Sequence, residues 1–180
     1  ARRVLAQLAR WNLVCNDSGG DPLTETPAGL FARLVANAAH EQLAPAALLA
    51  LLKHPLLRLG RQRASLLACV ADLELALLRG TRPPPGISGL RHSLTTFRVE
   101  LEKFRRHEFS SLHRSEPRTA LQDAQIDAVS ALIDDLAHAL APLTQIDPAA
   151  TQDFSTLAAR HCEAIERLTA DADGIPAAFT

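Results

Sequence analysis

The chain has 180 residues, 47% of them apolar and 22% charged, enough to build one domain with a real core and far from the composition of a disordered segment. Alanine and leucine are abundant while tyrosine is absent and tryptophan occurs once, which favours helices over sheets. The net charge of −1 hides a division: residues 1–118 carry 17 Lys and Arg against 10 Asp and Glu, and residues 119–180 carry 2 against 10. Such a division suits a basic part facing phosphates and an acidic part facing protein, or simply solvated helix faces.

Residues 2–10 look helical and Trp11–Cys15 predict a short strand. Thr26 then suits a helix cap and Pro27 a first turn, with Leu30, Phe31, Leu34 and Val35 as the apolar stripe of a helix ending near His40. Pro45 opens another helix through AALLALLKH, which Pro55 interrupts and Gly60 stops. Leu66, Val70, Leu73 and Leu77 give residues 62–79 a buried face, and Gly80 ends it. GTRPPPGISG, residues 80–89, predicts an extended connector and a candidate hinge. Leu90, Leu94, Phe97, Leu101 and Phe104 mark one side of a long helix whose other side is charged, and residues 107–119 form a loop reaching Pro117. Ile126, Val129, Ile133, Leu136 and Leu140 predict a helix over 119–141. Phe154, Leu157, His161, Ile165 and Leu168 predict a last one over 151–170, and the short Asp147–Pro148 link makes the two antiparallel.

Cys15, Cys69 and Cys162 are odd in number and widely spaced, so they spell neither a disulfide framework nor a metal ligand set. A reducing, cytoplasmic location is expected. The most apolar stretch, residues 44–52, is about half of a membrane span and no leader pattern opens the chain. There is no methionine and the first residues already have helical character. A piece of a longer chain is therefore expected, with a processed or tag-cleaved small protein as the alternative.

Few residue patterns promise chemistry. NDSGGDP, residues 16–22, sits between an expected strand and a helix, the general setting of a phosphate loop. It lacks the glycine and lysine spacing of one, and Asp17 and Asp21 would repel phosphate, so a tight turn is the better reading. Asp134, Asp135 and His138 have the spacing of a shared metal but lie away from the apolar stripe, which suggests a solvated pair. His161 and Cys162 are neighbours pointing about 100° apart on a helix, so they do not form a nucleophile and its base. Two basic clusters remain, Arg58, Arg61 and Arg63 around Gly60, and Arg105, Arg106 and Arg114 with His107 and His113. Both could contact a nucleic-acid backbone, since phosphate contacts need only charge and donors. No catalytic centre is expected.

The segments NDSGGDPL, TPAGLFARLVANAA and APAALLALLKHPL within Leu13–Leu59, with ELALLRGTRPPPGISGLR at 74–91, resemble the double-strand break repair protein family AddB of the alphaproteobacterial type. LAARHCEAIERLTADADG, 157–174, fits more loosely, and residues 92–150 agree only in their alternation of helices. The resemblance implies the helical insertion of a superfamily 1 helicase second motor domain, with residues 1–22 as the end of the motor domain and 23–180 as the insertion. It also implies partners, namely an AddA-like motor-nuclease, DNA and the other domains of the parent chain. ATP, magnesium and an iron–sulfur cluster would belong to other parts of that complex, since none of the family's catalytic motifs occurs here.

The expected fold is thus a single all-α bundle of six or seven helices with a short strand or extended segment near the N-terminus. The expected role is a non-catalytic, DNA-adjacent or subunit-packing fragment. A free-standing helical protein-interaction module, docking a partner through its acidic C-terminal pair, is the rival, and an enzyme using NDSGGDP is the third reading.

Overall fold

Capping residues and prolines open most of the longer helices of this chain. The computed structural model describes residues 2–13, 15, 20, 22–146 and 151–177. Among them are seven α-helices: α1 (Arg2–Arg10), α2 (Pro27–His40), α3 (Pro45–Lys53), α4 (Arg63–Leu73), α5 (Gly86–Arg105), α6 (Asp123–Thr144) and α7 (Phe154–Thr169). A π-turn, Glu74–Leu78, prolongs α4, and 3₁₀ turns cover Leu23–Glu25 and Pro117–Ala120. The Thr26 hydroxyl accepts the Gly29 N–H at 3.1 Å and opens α2, while Gln122 and Gln125 cap α6 reciprocally.

The bundle is arranged around α6, which packs against α2, α4, α5 and α7. Ile126, Val129, Leu132, Ile133, Leu136, Ala139 and Leu140 of α6 are all buried. They meet Phe31 and Val35 of α2, Leu66 and Val70 of α4, Leu94 and Phe97 of α5, and Leu168 of α7 in one continuous core. Each fully buried leucine, isoleucine or phenylalanine contributes about 1.5–3 kcal/mol relative to exposure. α5 runs antiparallel to α6, because Arg91, Arg98 and Arg105 bond in that order to Asp134, Asp127 and Asp123. α7 is also antiparallel to α6, its Arg160 and Arg167 lying against the α6 C-terminal turn.

Several boundaries differ from the sequence expectation. No strand forms among the described residues. The Asn12 N–H bonds back to Ala9 O and the Leu13 N–H to Leu8 O, with Asn12 in the left-handed region at φ 55°, so Trp11–Leu13 close α1 with a helix stop. NDSGGDP lies largely outside the described residues, as does the Asp147–Pro148 link; Gly20 within the former has a φ of 62°. α5 begins at Gly86, inside the stretch expected to be a connector. α6 starts later than expected and runs past Pro142 to Thr144. Proline lacks the N–H that His138 O would otherwise receive, and the Arg167 guanidinium supplies a donor to that carbonyl at 2.9 Å. Phe154, expected in the α7 stripe, is exposed at the first helical position, beside the capping Asp153.

The 80–89 stretch is non-helical only through Pro85, which is extended at φ −66° and ψ 150°, and it is tied down. Pro83 is buried, and the Gly86 N–H donates to Gln42 O at 2.7 Å. A Cβ on Gly89 would come within 1.9 Å of the Pro84 carbonyl oxygen, so the first turn of α5 rests directly on the backbone before it. Gly89→Ala is expected to destabilise the protein by about 1–3 kcal/mol, the usual effect of overpacking, read as a lower midpoint in urea unfolding. An unchanged midpoint would mean that this contact yields freely.

Candidate functional site

The basic cluster around Gly60 is built into the fold. Leu59 and Gly60 both take positive φ, and the N–H groups of Arg58 and Leu59 bond to Leu168 O, stitching the turn to the end of α7. Arg63 reaches back to the Lys53 carbonyl at 2.7 Å and caps the C-terminus of α3. Arg61 holds Asp135 of α6 through two nitrogens, at 2.5 and 3.1 Å. Among the described residues the Arg58 side chain has no partner.

The second cluster divides in the same way. Arg105 bonds to Asp123 and to Leu121 O, each at 2.6 Å, and Arg106 bonds to Glu102 one turn earlier. Arg114 has no partner among the described residues. Of the six arginines singled out from the sequence, Arg61, Arg63, Arg105 and Arg106 are therefore engaged inside the fold, while Arg58 and Arg114 keep their donors. The acidic half is engaged too: Asp123, Asp127, Asp134 and Asp135 of α6 all face arginines from the basic half. The two halves of the charge division meet each other along α6.

Beyond Arg105 the chain turns through His107, at φ 59°, into a braced loop. The Glu100 carboxylate accepts the Ser111 N–H at 2.6 Å and the Lys103 ammonium at 2.7 Å, and the Ser110 hydroxyl donates to Glu100 O at 2.9 Å. Lys103 foremost, with the Ser111 N–H, holds the Glu100 carboxyl down to about 2. Farther on, Glu116 accepts the His113 N–H at 2.8 Å and the Arg118 guanidinium at 2.6 Å. Leu112 is buried, whereas Phe109 is 96% exposed. On one side of the loop is a cleft of 610 Å³ lined by Phe104, His107, Phe109 and Arg114. On the other is a cleft of 380 Å³ lined by Arg82, His92, Ser93, Thr96 and Arg118, with Arg118 over the Phe97 ring at 5.6 Å. Leu112 belongs to the wall of both. Phe109, Arg82, His92 and Arg118 were not singled out from the sequence. The one signal was Phe109 itself, an aromatic directly flanked by Glu108 and Ser110 and off the apolar stripe of the preceding helix.

Most of the remaining candidates are held by structural bonds. Asp134 and Asp135 bond to arginines from different elements, Arg91 and Arg61, and no group of three or more metal-ligating side chains occurs among the described residues. His161 Nε2 lies 2.9 Å from Ala32 O of α2, and Cys162 is exposed. Cys69 is buried and its thiol donates to Ala128 O; burial pushes its pKa up, the opposite of a reactive thiolate. No helix among the described residues is long and apolar enough to cross a membrane. No protein-family model, curated protein or solved structure matches the chain. Its role must be read from its own residues.

One buried titratable group tunes stability. His54 packs on Phe31, ring centroids 5.0 Å apart, and its Nδ1 accepts the Leu56 N–H at 3.3 Å. Burial first, and then Arg63, lower its pKa below the ordinary 6.5. The unfolded chain therefore takes up this proton before the folded one, so the contribution is complete above 6.5 and is lost as the pH falls below it. The thermal midpoint should drop between about pH 7.5 and about pH 5.5, and His54→Asn, which keeps an acceptor but does not titrate, should flatten that part of the curve. Parallel curves for the two proteins would refute the assignment.

Proposed function

We propose that this chain is a non-catalytic helical module of an AddB-like subunit, lying beside DNA or packing on the neighbouring domains and on an AddA-like motor in recombinational double-strand break repair. The family assignment rests on the sequence segments within 13–59 and 74–91 described above. No strand forms among the described residues of Trp11–Cys15, which withdraws one support from the idea that residues 1–22 finish a motor domain. The observation that carries the non-catalytic reading is how the reactive-looking side chains are used. Asp134, Asp135, His161 and Cys69 all bond to groups of the fold itself. Facing outward are groups suited to recognition, the guanidinium of Arg58, that of Arg114 and an exposed aromatic. ATP, magnesium and an iron–sulfur cluster are assigned to other parts of the complex.

A second reading, a protein-interaction module, is favoured by α1. Its polar face carries Arg3 and Arg10, while Val4 and, just beyond the helix, Trp11 are 61% and 77% exposed. Such a surface suits a protein neighbour. The rival's expected docking element, the acidic C-terminal pair, is less available, because the α6 carboxylates already face arginines of this chain.

Two measurements test the proposal. The reading frame around this segment is expected to continue into a nuclease domain, and a frame bounded by Ala1 and Thr180 would overturn the family assignment. The chain should also bind forked DNA in a salt-sensitive way, two phosphate contacts weakening about seven- to twelvefold between about 50 and about 200 mM salt, for single-stranded and duplex contacts respectively. Arg58→Glu with Arg114→Glu should reduce that binding without unfolding the protein, since neither side chain has a partner among the described residues. Absent or salt-indifferent binding would favour the interaction module.

A further inference from the structure

We infer that the loop from His107 to Glu116 is a recognition edge for single-stranded nucleic acid. In this arrangement a base stacks on Phe109, and backbone phosphates reach Arg114 on one side of the loop and Arg82 on the other. The inference rests on the DNA-adjacent reading and assigns it a site.

The loop is rigid where it needs to be. Glu100 fixes Ser111, the Ser110 hydroxyl fixes Leu112 N–H at 3.1 Å, Glu116 fixes His113, and the buried Leu112 anchors the middle. Phe109 is thus held out in water by a braced backbone, although its ring would gain about as much from burial as any core side chain. A preorganised aromatic loses little freedom when a ligand stacks on it.

The surroundings decide what that ligand is. A protein hot spot needs an apolar centre closed off from water, but Phe109 is almost wholly exposed, and apart from Phe104 and the buried Leu112 its cleft is lined by Arg105, His107, Glu108, Ser110 and Arg114. A base needs only a π-face, with cations within reach of the adjoining phosphates. Arg82 and Arg114, which line the two clefts beside the loop, have no partners among the described residues. The other arginines of this face are occupied, Arg105 by Asp123, Arg106 by Glu102 and Arg118 by Glu116. His92 and the hydroxyls of Ser93 and Thr96 add donors to the smaller cleft. Of the acids here, Glu100 is committed to Lys103 and the loop, which leaves Glu108 as an opposing charge in the larger cleft. An intact duplex hides its base faces, so stacking selects unpaired strands.

The test is fluorescence anisotropy of a labelled oligothymidylate titrated with the whole chain and with Phe109→Ala, Phe109→Trp and Arg82→Glu/Arg114→Glu, a forked duplex serving as second probe. Phe109→Ala should weaken oligothymidylate binding about 5- to 150-fold, the range for loss of one base–aromatic stack. Phe109→Trp should preserve it, and the double charge reversal should weaken it and flatten its salt dependence. Because Phe109 packs on almost nothing, circular dichroism of Phe109→Ala should match that of the parent chain. Binding that is salt-sensitive yet identical in Phe109→Ala would overturn the stacking edge and leave the DNA-adjacent reading standing, as would binding of the fork without the single strand. Failure of the parent chain to bind either probe would overturn both.

Discussion

Everything in this bundle depends on burying one helix on several sides at once. α6 carries seven buried residues and touches α2, α4, α5 and α7, so its polar side chains are confined to the seams between neighbours. Asp123, Asp127 and Asp134 lie along the seam with α5, and Asp135 faces Arg61. Arg91, Arg98 and Arg105 recur every seventh residue on α5, which keeps them on one helical face opposite those carboxylates. Exposed pairs of this kind are worth about 0–1 kcal/mol each. The apolar stripe supplies the stability, and the pairs set register and direction.

This arrangement explains the uneven charge of the chain without a partner. A basic N-terminal part and an acidic C-terminal part would suggest two separate binding surfaces if each were solvated. Here Asp123, Asp127, Asp134 and Asp135 of the acidic helix are each paired with an arginine of the basic part at the seams. What the seams leave over is a few arginines, an exposed phenylalanine and the apolar side of α1. These are groups for contact and shape, consistent with a module that positions other things.

The helical stripes were legible because burial imposes a period on the sequence. Leu66, Val70, Leu73 and Leu77, and all five α6 positions from Ile126 to Leu140, are buried as their spacing requires. Boundaries were less legible, since they depend on single contacts. Asn12 stops α1 where a run of apolar residues suggested a strand, and Pro142 stays in α6 because Arg167, distant in sequence, serves the carbonyl it leaves free. The basic clusters were visible in composition, but which arginines remain available was not. That depends on carboxylates such as Asp135, which lies 74 positions from Arg61. Phe109 was overlooked because residues off the apolar stripe carry no periodic signal.

The central claim is that apolar burial of α6 holds the bundle together while its ion pairs only guide it. Urea unfolding of Leu136→Ala and of Asp134→Asn, compared side by side, tests this most directly. The account predicts a loss of about 2–5 kcal/mol for the leucine, a cavity at the centre of the core, and less than about 1 kcal/mol for the aspartate, an exposed pair. Equal losses, or a larger one at Asp134, would contradict it.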